Sequence, residues 1–304
     1  MRLVSFGPKG EERCGIIDGD WIIPFPIRSS EHGLDHVIAN WEKFGSTAAA
    51  VNQSSPGSVP LAGSRLGSPL LQPGKILGVG ANYCDANGAP PKGPPDPILF
   101  FKPASSLAGH NDPVTLPFET GRVVAEVELA IVIGKSGHRV PVSEAMDHIF
   151  GYTIANDLTA PDVMLGDSHE SPLYFQQGRG KGFPDFCPLG PWIVTRDAIP
   201  DPERLMLQQH INGHIELSGS SALMHHSPAV LVSEVSHAFG LAPGDIILSG
   251  SPRPTAAGRQ PLTHGDILES RISGIGVLRN QIVAESRQSA NQPIRIFKGP
   301  NGSY

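Results

Sequence analysis

Residues 122–134 read RVVAEVELAIVIG, and Val123, Val124, Val127, Leu129, Ile131, Val132 and Ile133 give the segment the composition of a strand. Alternate residues of a strand point to one face. Glu126 and Glu128 therefore project side by side from a segment otherwise built for burial. Two like charges that close raise each other's pKa, and burying them is costly without something positive between them. A hard divalent cation such as Mg²⁺ answers that need and leaves coordination positions for a substrate. Asp157, near the end of the next predicted strand, is the third candidate ligand. An E-x-E on a half-solvated strand face is also ordinary, so the surrounding sequence decides between the two readings.

The chain has 304 residues, room for one large domain or one small plus one large. Its 23 basic and 29 acidic residues leave a net charge of −6, and no Lys/Arg-rich run occurs. Nucleic acid and anionic membranes are therefore not expected partners. No run of 18 apolar residues and no apolar leader core are seen, so a cytoplasmic location is expected. Cys14, Cys84 and Cys187 lack the C-x-x-C spacing of a zinc site or a disulfide framework. The 35 glycines and 30 prolines favour many short strands joined by turns.

Strands are expected at Leu3–Phe6, around Gly15–Ile17 and at Trp21–Ile23, with Asp18-Gly19-Asp20 as a hairpin turn. One helix is expected from about Leu34 to Val51, and Ser54–Pro73 has the composition of a linker. Ser143 is a candidate N-cap, Asn212-Gly213 signals a hairpin, and Ser227-Pro228 opens a helix. The division expected is a small N-terminal α+β domain with linker (1–70), a β-rich catalytic unit (71–285) and a polar C-terminal tail (286–304).

Several segments then resemble the fumarylacetoacetate hydrolase superfamily, in order and in register. They are Gly80-Ala81-Asn82-Tyr83, Phe100-Phe101-Lys102-Pro103, Glu126–Gly134, Gly151–Asp157, Gly180–Phe183 running into Cys187–Pro191, Pro243–Pro252 and Gly265-Asp266. The branch resembled is that of acylpyruvases and 2-hydroxyhepta-2,4-diene-1,7-dioate isomerases. The resemblance implies a mostly β fold with a few helices, a mixed β-roll core and a homodimer. It implies Mg²⁺ or Mn²⁺ held by Glu126, Glu128 and Asp157. It assigns the active-site lysine to Lys181 and substrate contacts to Asn82, Tyr83, Ser249 and Gly250, with Gln177 added from an altered loop. A 2-oxo or 1,3-dicarbonyl carboxylic acid could chelate such an ion through its carboxylate and keto oxygens.

The departures matter as much. The family's lid His and Glu fall on Ala86 and near Ala89, and alanine transfers no proton. Gly88, Pro90 and Pro91 also disfavour a lid helix. An Arg and a Gln of the family fall on Pro161 and Met164, so anion recognition is expected to have changed. Isomerisation, tautomerisation or decarboxylation by the metal and Lys181 fits these losses. The alternative is C–C hydrolysis with a replacement base, His169 first and His110 second, while His225-His226 is expected to be structural. A non-catalytic binding protein on a decayed fold is the reading from another class. A nicotinamide site at Gly78-Val79-Gly80 is rejected, because the third glycine is missing and a Pro-rich loop follows.

Overall fold

Val127–Ile133 and Ile149–Asn156 pair antiparallel at the centre of a large mixed sheet, and every residue of both strands is buried. The structure is a computed structural model describing residues 1–27, 33–254 and 258–285. The expected tail at 286–304 lies outside the described residues.

The large sheet runs Val59–Pro60, Trp21–Pro24, Arg13–Asp18, Arg2–Phe6, Cys187–Thr195, Ile149–Asn156, Val127–Ile133, Ile246–Leu248, Ile76–Gly80, Ile98–Lys102. Only Ile246–Leu248 with Ile76–Gly80, and Leu107–Ala108 beside Cys187–Thr195, pair in parallel within it. A second sheet orders His214–Ser220, Met206–Ile211, Ile267–Ile272, Gly276–Ala284 and Pro113–Leu116. The fold is thus mostly strand with a few helices, and mixed, as the sequence leads one to expect.

The central strand reads as a continuous apolar run because both its faces are covered. Val127, Leu129 and Ile131 meet Leu207, Leu217, Ile272 and Leu278 of the second sheet, together with Leu231, Val232 and Val235 of the helix Pro228–Phe239. Ala130 and Val132 face the other way, toward Leu34, Val37, Ile38 and Phe44. Each fully buried Leu or Ile contributes roughly 1.5–3 kcal/mol.

Some local expectations are corrected. The strand begins at Val127 rather than Arg122, and Val124 contributes only an isolated bridge to Thr159. The helix at 34–51 is two, Leu34–Ala39 and Trp41–Ala50, because Asn40 leaves helical geometry. Pro141, not Ser143, caps the helix Val142–Ala145. The Ser54–Pro73 stretch is packed: Val59–Pro60 joins the sheet, and Arg65 bridges Glu12 (2.9 Å) and Asp112 (2.7 Å). Arg2–Phe6 pairs with Cys187–Thr195, so the N-terminal strands extend the main sheet. The Ser227 cap and the Asn212-Gly213 hairpin form as read, with φ 52° and 80° at the turn.

Candidate active site

Sheet register assembles three carboxylates. Ala155 faces Glu128 across the central pair, and Asn156 faces Val127. One step further, the Asp157 N–H donates to the Glu126 carbonyl at 2.9 Å. Residues directly opposite in an antiparallel pair share a face, so Asp157 joins Glu126 and Glu128. Their ligand oxygens all lie within 4.8 Å of one another. Glu128 and Asp157 are buried, and Glu126 is half-buried.

Neighbouring elements supply donors. The Gly250 N–H donates to Glu128 Oε2 at 2.6 Å. Lys181 closes the one-turn helix Gln177–Lys181. Its Nζ donates to Glu126 Oε2 (3.0 Å), to Thr159 Oγ1 (2.8 Å) and to Asp157 Oδ2. The same ammonium lies 4.8 Å from the centroid of the Phe100 ring. Lys102, fully buried, donates to Asp157 Oδ1 (2.7 Å), to the Leu158 carbonyl (3.4 Å) and to the Lys181 carbonyl. Arg259 Nε contacts Glu126 Oε1 at 3.1 Å.

The electrostatics follow from this layout. Burial first, then the charges of Asp157 and Glu126, push the Glu128 carboxyl well above the ordinary range. Burial works against the charge on Asp157 too, but Lys102 and Lys181 outweigh it and hold its pKa low. Lys181 is likewise opposed by burial, yet Asp157 and Glu126 keep its pKa above the usual lysine value. It is an ammonium at neutral pH, a donor rather than a base. Three hard oxygen donors in one recess, one of them unwilling to ionise without further positive charge, fit a divalent cation.

A cavity of about 280 Å³ opens on the trio, with Lys181, Tyr83, Phe100, Ser251, Arg253 and Arg259 in its wall. Of the substrate residues expected from the sequence, Tyr83 lines it. Asn82 instead brackets two loops: Nδ2 donates to the Ser249 carbonyl (2.8 Å), and Oδ1 accepts from the His226 N–H (2.8 Å). Ser249 is buried behind the wall, and Gly250 reaches Glu128 by its N–H. Gln177 starts the helix that delivers Lys181 but does not line the cavity. His169 is exposed on a turn and also lies outside the lining. His110 Nδ1 accepts from the Arg279 N–H at 3.2 Å, a backbone anchor. Residues 84–97 contain no helix, in keeping with their Gly and Pro content.

Sequence reasoning gave no role to Lys102, Thr159, Arg253 or Arg259. Lys102 did leave a signal: it is the single charge ending the apolar run Ile98–Phe101. The two arginines lie in a stretch without period or pattern, where nothing in the sequence marked them.

A family model described as Fumarylacetoacetate (FAA) hydrolase C-terminal matches residues 75–283. The chain belongs to the fumarylacetoacetate hydrolase family. Protein Rv2993c of Mycobacterium tuberculosis is 41% identical over 234 residues, 76% of this chain and 83% of the relative. The crystal structure of 5-carboxymethyl-2-hydroxymuconate delta-isomerase from Mycobacterium smegmatis is 33% identical, covers 94% of this chain and 100% of its own, and superposes with a TM-score of 0.74. Maleylpyruvate hydrolase from Sphingobium sp. SYK-6, solved with manganese(II) and pyruvate, is 29% identical with the same coverage and a TM-score of 0.77. Fumarylacetoacetate hydrolase superfamily members are isomerases, hydrolases and decarboxylases, and the chain is an enzyme of that group.

Proposed function

We propose that the protein is a Mg²⁺- or Mn²⁺-dependent enzyme acting on the keto or enol form of a small 2-oxo or 1,3-dicarbonyl carboxylic acid. Isomerisation, tautomerisation or decarboxylation is the favoured chemistry. The observation that carries this reading is the composition of the cavity wall: a carboxylate trio beside a charged lysine. Among the described residues lining it, no imidazole and no carboxylate outside the trio is present. Glu126, Glu128 and Asp157 would hold the ion, which when bound supplies Lewis-acid stabilisation of negative charge on the substrate's keto oxygen. With the ion holding the carboxylates, Lys181 would be released from part of its contacts with Glu126 and Asp157 and could donate a hydrogen bond to that oxygen, while the Phe100 face and Tyr83 shield it from bulk water. Asn82 and Gly250 act indirectly, fixing the loop that orients Glu128.

C–C hydrolysis is the second reading, and one observation favours it. His226 lines a shallow recess that shares Gly80, Ala81, Pro91 and Lys92 with the main cavity. Burial and the neighbouring His225 hold its pKa below the usual histidine value, so it is a neutral imidazole able to take a proton from water. The homodimer belongs to the same proposal, supported by the exposed apolar side chains Leu173, Tyr174 and Phe175. So does a cytoplasmic location; no described helix is long and apolar enough to cross a membrane.

The test is turnover of oxaloacetate and an acylpyruvate, followed by enol absorbance and product mass. Metal-dependent turnover that falls at least about 100-fold in Lys181→Met is expected. Turnover indifferent to EDTA and to Lys181→Met would refute the reading. A product pair that has gained one water identifies hydrolysis, an unchanged mass isomerisation, and lost CO₂ decarboxylation.

A further inference from the structure

The cations of the cavity fall into two groups. Lys181 and Arg259 are committed to oxygens of the carboxylate trio. Lys92 and Arg253 are not. Arg253 is held at one end only, Nε donating to the Tyr83 carbonyl at 3.0 Å. Its two terminal amino groups have no partner among the described residues, and Lys92 forms no hydrogen bond or ion pair with them either. Both side chains are exposed at the cavity wall, Lys92 on the loop that follows Tyr83 and Arg253 on the loop that follows Gly250.

The charge balance gives these two cations a purpose. Four cationic side chains face three carboxylates, and a divalent ion would add two further positive charges. A substrate with one carboxylate, chelated at the ion, would leave the mouth of the cavity uncompensated. A second carboxylate on the far end of the substrate would compensate it. A guanidinium tethered through Nε presents a planar pair of N–H donors, the geometry that matches a carboxylate bidentately. The cavity volume of about 280 Å³ suits a small acid spanning from trio to mouth.

We propose that Arg253, supported by Lys92, is the specificity-determining pair that binds the distal carboxylate of a dicarboxylic 2-oxo acid, so that the protein selects dianionic over monoanionic substrates. This rests on the functional reading above and narrows it.

Calorimetric titration of the Mn²⁺-loaded protein with pyruvate and with 2-oxoglutarate tests it, since both carry the chelating end and only one carries the distal carboxylate. The wild type is expected to bind 2-oxoglutarate about 10- to 100-fold more tightly. In Arg253→Gln that ratio falls to near one, Lys92→Gln gives a smaller fall, and Arg253→Lys keeps part of it. A wild-type ratio near one, or a ratio unmoved by Arg253→Gln, overturns the distal subsite while leaving the metal-dependent reading intact. Failure of the Mn²⁺-loaded wild type to bind either acid overturns both.

Discussion

His110 shows how a residue that resembles a catalytic base in the sequence can serve the fold. Its ring nitrogen accepts a backbone N–H from Arg279, and burial followed by the Arg279 charge holds its pKa below the ordinary value. The folded protein therefore binds that proton less readily than the unfolded chain. The contribution to stability is complete above about pH 6.5 and is lost as the pH falls below it toward the folded pKa. Thermal melts of His110→Gln across this acid range should show a shallower slope than the wild type, because the ring that must be charged is gone. An identical slope would exclude the assignment. His169 teaches the complementary lesson: a polar loop states that a histidine is exposed but not where it points, so its absence from the cavity was not legible. Glu126, Glu128 and Asp157 were legible, because a period of two and one hairpin-like register fix them almost locally.

Among elements, the turn after Ile246–Leu248 tolerates little change. Gly250 sits at φ 84°, and a Cβ there would lie 2.8 Å from Asn82 Cβ and 3.1 Å from the Val79 carbonyl oxygen. Its N–H is also the donor to Glu128. Gly250→Ala keeps the N–H but forces the turn to move; it is expected to cost roughly 1–3 kcal/mol of stability and, by displacing the donor from Glu128, about tenfold in Mn²⁺ affinity by calorimetry, the worth of one charge-assisted hydrogen bond. Undiminished Mn²⁺ affinity in this variant would dissociate the turn from the metal centre. The residues that sequence reading missed share a cause at this scale. Lys102 reaches Asp157 across the sheet order, not along the chain, and they lie 55 residues apart. Arg259 meets Glu126 from a loop with no periodicity to project its direction. The helix break at Asn40 was equally invisible, because apolar spacing continues through it.

For the molecule as a whole, the ion binding proposed above would be linked to folding by mass action. Mn²⁺ at a hundred times its Kd should stabilise the EDTA-treated protein by about 2.7 kcal/mol, a rise of several degrees in Tm for a chain of this size. Glu128→Gln should abolish most of that rise; an equal rise in wild type and variant would place the ion elsewhere. The fold class and the trio could be read from the sequence because strand period and family pattern agree. The closing of the N-terminal strands onto the catalytic sheet could not, since it depends on Arg2–Phe6 finding Cys187–Thr195 at long range. One further consequence lies with Lys102 and Lys181. All three protons of the Lys102 ammonium are engaged, and Lys181 stands among the acids themselves. These are resident counter-ions: the chain itself balances part of the charge of its buried acids. A divalent ion taken up there would exchange one cation for another, and the ease with which a single lysine gave up its place would set how tightly the newcomer is kept.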